Sequence, residues 1–374
     1  MKLLAGALVV VFGALAGESS TARCEPLALL RKLQDIAEAR ASGVEGPSIG
    51  RREEIVSLLR SSAQNGDEGW KAPRKFGVIV SLSLVGVEPW LAHQANSVMP
   101  PGGVDQPLAQ YALAYAKGQA PPDASQFEKI DVRALPPEVA GAVAFAQARL
   151  LVEHDRALAS ERFRAARILA PGGLIEEAAL REELFMLDGR AAPQILERIA
   201  ARYFSRFHQS VNSENFVRRL ESLFEEIWSF RDQEARNALM PILEGLPIAA
   251  RRPIAMRVVR WSLLHGDSAG ARRVLGAACA SREENEGSDE RCDLYRQIGG
   301  MFDAPHGGKS ALQGQRVQLN DEDRLLLECA TLVAAFTGNA RDVVRDAADH
   351  QDTETMRLVK AKIAEADRFM AEAR

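Results

Sequence analysis

Apolar residues recur three and four positions apart in block after block of this 374-residue chain, and alternating β-branched runs are scarce. That single regularity fixes the fold class. Ala, Leu, Arg and Glu dominate nearly every segment and are strong helix formers, whereas a sheet needs period-two alternation. Aromatics make up only 6% of the chain, while 47% hydrophobic and 26% charged residues suit a folded globular protein with a substantial core. The expectation is an all-α protein, a tetratricopeptide-like α-solenoid of consecutive helical hairpins.

Leu27–Ala41 and Arg51–Gln64 read as amphipathic helices separated by a loop rich in glycine. Phe76–Val87 carries enough apolar residues to imitate a strand, but helix is preferred because Pro89 ends it and its flanks are helical. Met99–Gly103 is a break, Gln106–Lys117 a helix, and Gly118–Leu135, with Pro121 and Pro122, a loop of little regular structure. Val139–Val152 and Arg156–Ala170 then form a pair in which Ala159, Phe163, Ala166 and Pro171 follow the second-helix pattern of a tetratricopeptide repeat. Gln147 stands where the first helix of such a repeat wants a small residue, and an ordinary αα-hairpin explains the pair equally well.

Further helices are expected at Leu174–Leu187, Pro193–Phe207, Asn215–Arg231, Gln233–Leu243, Ile248–Leu264, Ala269–Cys279, Asp323–Phe336, Arg341–Asp349 and Thr353–Ala373. Asp267 is a candidate cap after Gly266, and Gly338-Asn339 a helix end. The expected regions are a leader over residues 1–22, an N-terminal helical region over 23–135 and a repeat-like region over 136–374.

The leader has the form of a secretory signal peptide: Met1–Lys2, an apolar run over Leu3–Ala16, and small residues Ser20 and Ala22 around a cleavage point. A run of this length, roughly 21 Å as a helix, falls short of the hydrocarbon core of about 30 Å. Arg23 before Cys24 does not suit lipidation. The expectation is an exported chain, cut near Arg23 and not held in the membrane. A net charge of −4 with interleaved signs argues against nucleic acid as a partner.

Export places the cysteines in an oxidising compartment. Cys279 and Cys292 stand at the feet of the polar stretch Ala280–Arg291, well placed for a disulfide that restrains the unfolded chain by about 3 kcal/mol. The alternative, a metal site, lacks a CxxC pair and has no nearby histidine except His306. Cys329 reads as a buried small hydrophobe.

Catalytic and cofactor signatures do not emerge. Gly307–Ser310 ends like a phosphate-binding loop, but Asp303 occupies the position of its first glycine. No HExxH or GxSxG pattern is present. Glu176-Glu177 and Glu182-Glu183 pair acids, yet Glu177 and Arg181 at i,i+4 suggest a solvated helix face with a surface ion pair. Arg251, Arg257 and Arg260, with Arg252 and Arg272-Arg273 nearby, form a candidate surface for an acidic partner.

Ile130-Asp131, Leu135-Pro136-Pro137, Ala165–Gly172, Glu176–Arg181 and Arg202–Phe207 resemble, as text, the MotC family of alphaproteobacterial periplasmic motility proteins. The resemblance covers Ile130–Arg219. It implies a periplasmic, non-enzymatic protein needed for flagellar rotation, acting with the periplasmic part of the stator protein MotB, and it transfers no binding residues. Two other classes share parts of this sequence pattern: a helical adaptor for envelope or secretion assembly, and a cell-wall lytic enzyme, which needs a catalytic Glu in a compact domain.

Overall fold

The chain is described by a computed structural model over residues 26–43, 49–65, 70, 73–84, 88, 90–98, 105–117, 119, 124–230, 233–279, 290–303, 321 and 323–331. The leader, the Met99–Gly103 break, Gly307–Ser310 and the helices expected beyond 331 lie outside the described residues. Among those described, every regular element is helical. The fold is all-α and solenoid-like, and the most extensively packed helix pairs are one or two places apart along the chain.

Two compact units divide it, residues 1–37 with 46–127, and residues 38–45 with 128–374. The second unit takes in residues 128–135, which the sequence pattern assigns to the N-terminal region. In the first unit, α1 (Pro26–Ser42) supplies Leu29, Leu30, Leu33 and Ile36 to the core, and α2 (Ile49–Gln64) supplies Ile55 and Leu59. α3 (Pro73–Leu84), α4 (Trp90–Val98) and α5 (Asp105–Ala116) pack on one another. α3 imitated a strand because Val78–Leu84 is buried on all sides, so its apolar residues follow no amphipathic stripe. Its Ser83 hydroxyl donates to the Ile79 carbonyl 2.8 Å away, inside the helix. Arg52 pairs with the buried Glu88 at 2.5 Å, and Tyr111 stacks on Phe127 with centroids 3.6 Å apart.

Phe127 sits on a short helix, α6 (Ala124–Glu128), followed by a 3-10 turn at Val132–Ala134 capped by Asp131. The expectation of a loop over Gly118–Leu135 is corrected here: Phe127 and Val132 each bury a side chain, and burial holds the short turns that the flanking prolines obscured.

The second unit begins with the hairpin α7 (Pro137–Leu151) and α8 (Arg156–Leu169). Ala159, Phe163 and Ala166 are fully buried against α7, and a Cβ at Gly141 would stand 2.5 Å from that of Ala170, so the helices approach as small residues allow. Gln147 is buried without disturbing the contact, because its amide donates to the Ile130 carbonyl at 3.0 Å. Then follow α9 (Leu174–Met186), α10 (Pro193–Phe207), α11 (Ser213–Phe230), α12 (Gln233–Gly245), α13 (Ile248–Leu264), α14 (Ser268–Cys279), α15 (Glu290–Asp303) and a helical segment over 323–331. One continuous apolar core runs from Leu180 to Ala330.

Arg236 of α12 ties α11 to the turn before α14. Its guanidinium lies 5.5 Å over the Trp228 ring and pairs with Asp267 at 3.0 Å, while Asp267 caps α14 by accepting from the Gly270 amide at 2.8 Å. α15, absent from the sequence reading, buries Cys292, Leu294, Tyr295 and Ile298. Cys279 and Cys292 are joined, sulfur to sulfur, between α14 and α15. Cys329 is half-buried, with its thiol pushed up by burial and by Glu328.

At the end of α1, Gly43 has φ +69°, and a Cβ there would lie 1.9 Å from the Gln209 carbonyl oxygen. Only glycine fits, on both conformational and steric grounds. Gly43→Ala is expected to cost about 2–4 kcal/mol in urea unfolding, whereas Gly245→Ala, where a Cβ meets nothing, stays within about 1 kcal/mol of wild type or gains.

Candidate functional site

Two adjacent carboxylates on the first turn of α9 are the most deeply buried charges among the described residues, Glu176 at 1% exposure and Glu177 at 0%. The expected solvated helix face is corrected: the i,i+4 pair with Arg181 exists, Nε to Oε1 3.2 Å, but Glu177 turns inward. Burial is tolerable because donors arrive from elsewhere in the chain. The Tyr203 hydroxyl donates to Glu177 at 3.1 Å, the Ser210 hydroxyl at 3.2 Å and the Asn212 amide at 3.4 Å. Burial and the neighbouring Glu177 push the Tyr203 hydroxyl well above its ordinary range, so it stays a donor. Glu176 takes Arg202 at 2.5 Å, Arg206 at 3.4 Å and the Gly172 amide at 2.5 Å. Both carboxylates also sit favourably at a helix N-terminus.

Glu183, two turns on, faces α8 and pairs with Arg167 at 3.3 Å. Loss of hydration outweighs the attraction of Arg167, Arg164 and Arg198 and raises its pKa from 4.5 to about 7. The arrangement locks helices: each of Glu176 and Glu177 is engaged by several donors, whereas glycosidic catalysis needs its carboxylates facing a cleft.

A cleft does exist, about 480 Å³, built from α11, α13 and α15. It gathers Arg257 and Arg260 of the expected basic surface with Arg252 and Arg291. Arg251 does not line it, and donates instead to the Glu244 carbonyl at 3.1 Å. Arg257 pairs with Glu225 on α11, and Arg291 with the buried Asp323 at 2.8 Å. The Tyr295 hydroxyl donates to Asp323 and is pushed up to about 12 by burial and by that bond. Arg291 and Tyr295 escaped the sequence reading because α15 did; Cys292, Tyr295 and Ile298, spaced by three, were the available signal. Among the described residues no group of His, Cys, Asp and Glu side chains is arranged to hold a metal ion.

Of the five stretches that resemble a known family, three meet in the carboxylate node: Ala165–Gly172 through its last residue, Glu176–Arg181 and Arg202–Phe207. The model of the family described as chemotaxis protein MotC matches residues 1–373. The chain belongs to the MotC family. The match extends well beyond the Ile130–Arg219 resemblance and makes this a motility- and chemotaxis-related protein. No curated protein and no solved structure matches this MotC-family chain. Among the described residues no helix is long and apolar enough to cross a membrane.

Glu177→Ala leaves a buried tyrosine hydroxyl and a partly buried guanidinium facing a void, and is expected to cost about 3–5 kcal/mol. Glu176→Ala is expected to cost less, about 1–2 kcal/mol, because Arg202 and Arg206 are already 40% and 42% exposed and regain water. Urea titrations of the two variants decide it; equal losses would contradict the assignment of Glu177 as the deeper partner.

Glu183 gives a pH signature. The folded protein binds its proton more tightly than the unfolded chain, so the contribution is full below pH 4.5 and is lost as pH rises through about 7. Relative to Glu183→Gln, the wild type is expected to lose up to about 3 kcal/mol between pH 5 and pH 8. Parallel melting curves across that range would refute it.

Proposed function

We infer that this MotC-family chain is a non-enzymatic periplasmic protein required for flagellar motor rotation, and that it acts by binding the periplasmic part of the stator protein MotB. The observation that carries this reading is the family match over residues 1–373. The signal-like leader and the Cys279–Cys292 bridge support an oxidising, exported setting. Consecutive helices with sequence-local packing suit a scaffold that offers an extended surface to another protein. The engagement of Glu176 and Glu177 in structural bonds, with no cofactor implied by any sequence motif, supports a role without chemistry.

A deletion strain is expected to assemble filaments and fail to swim, with motility restored by the chain carrying its leader and not by residues 23–374 lacking one. The mature protein is expected in the periplasmic fraction and in pull-downs with the periplasmic region of MotB. Normal swimming without the gene would point to an envelope or secretion adaptor, and release of peptidoglycan fragments by the pure protein would point to a wall enzyme.

A further inference from the structure

We propose that α8 and α10, through Arg164 and Arg198 with the exposed Ile168 and Ile195, form a docking surface for an amphipathic acidic segment of a protein partner. The surface rests on the reading of this chain as a protein-binding scaffold, and its chemistry comes from the side chains around Glu183.

α9 packs on both α8 and α10. Glu183 of α9 is 5% exposed, and three guanidinia act on its charge: Arg167 and Arg164 from α8 and Arg198 from α10. Only Arg167 reaches it as an ion pair, and the Glu183 Oε2 accepts no hydrogen bond among the described residues. Arg164 and Arg198 are exposed and make no hydrogen bond or ion pair of their own. Three cations thus share one carboxyl, and two of them remain open to a further anion.

The other arginines of the same stripe are already used. Arg198, Arg202 and Arg206 follow one another at intervals of four along α10, opposite the buried Ile199, Tyr203 and Phe207. Arg202 and Arg206 both pair with Glu176, which leaves Arg198 as the open position. The remaining helices packed on α9 bring no second acid to Glu183, since Arg149 of α7 engages Glu182 and Arg219 of α11 donates to the Leu187 carbonyl. Glu161 and Glu197, exposed acids on α8 and α10, form no ion pair with either open arginine and are not among the charges that act on Glu183.

Each open arginine has an exposed apolar neighbour on its own helix face. Ile168, 68% exposed, stands four residues after Arg164, and Ile195, 36% exposed, stands three before Arg198. A segment with carboxylates beside apolar side chains covers both kinds of group at once, whereas a nucleic acid backbone needs a denser positive field and leaves the isoleucines wet. Planar guanidinium forks accept such carboxylates bidentately.

The test is selection of a displayed random-peptide library on the purified protein, followed by fluorescence anisotropy on the enriched sequences. Peptides carrying two or more Asp or Glu residues beside an apolar one are expected to emerge. Their affinity is expected to fall about tenfold or more in Arg164→Ala/Arg198→Ala, and by less in Arg164→Lys/Arg198→Lys, which keeps charge and loses the fork. All four positions are exposed in the folded chain, and melting curves establish that the variants fold. Glu183→Gln removes the carboxylate that competes for the same arginines, so at pH 8 it is expected to bind the peptides severalfold more tightly than wild type. Enriched peptides without acids, equal affinity in the double alanine variant, or weaker binding by Glu183→Gln would overturn the proposal. Vesicles of anionic lipid that bind through both arginines while no acidic peptide enriches would also overturn it, in favour of a membrane surface. Capture of the periplasmic region of MotB is run in parallel. Capture that persists in the double alanine variant, with no acidic peptide enriched, sinks the surface and leaves the MotB role standing. Acidic peptides that need both arginines, with no capture of MotB, leave the surface and sink that partner.

Discussion

Glu177 has no access to water, and that fact constrains the centre of the second unit more than any apolar contact does. A carboxylate at zero exposure must collect donors or stay uncharged. Its partners lie in three places: Arg181 on its own helix forms an ion pair, while Tyr203 on α10 and Ser210 with Asn212 in the turn before α11 donate hydrogen bonds. Tyr203 in turn stacks on Phe216 of α11 with centroids 3.6 Å apart. Hydrophobic burial alone lets amphipathic helices slide and rotate in many ways, but these bonds are satisfied in one register. The node thus supplies specificity to a core that area burial stabilises.

From this follows a division of labour. Of the text that carries the family resemblance, Glu176–Leu180, Tyr203 and Phe207 lie in the interior while Ile168, Pro171, Gly172 and Arg206 are exposed, and the cleft with Arg252, Arg257, Arg260 and Arg291 lies further along the chain. The buried part of that text holds helices of the second unit in register. A surface assembled from three helices is only as well defined as the packing behind it.

Much of the helix pattern was legible in the sequence. Pro193–Phe207 and Ile248–Leu264 have the bounds that their apolar spacing and flanking prolines indicate, because local signals alone determine them. Three features were not legible, each for a physical reason. The short turns at Ala124–Glu128 and Val132–Ala134 exist through the tertiary burial of Phe127 and Val132. α15 uses Cys292 and Tyr295 as core residues and carries Gly299-Gly300 inside its C-terminal part, so its apolar stripe is weak as text. Glu177 misled because an i,i+4 partner looks the same on a wet face and a dry one. Only the arrival of Tyr203, 26 positions away, distinguishes them.

Native-state hydrogen exchange tests the central claim, that the carboxylate node binds α9, α10 and α11 into one cooperative body. The account predicts that backbone amides of these three helices share a single opening free energy, and that Tyr203→Phe lowers it for all three together. Independent opening of α9 while α10 and α11 stay protected would contradict it.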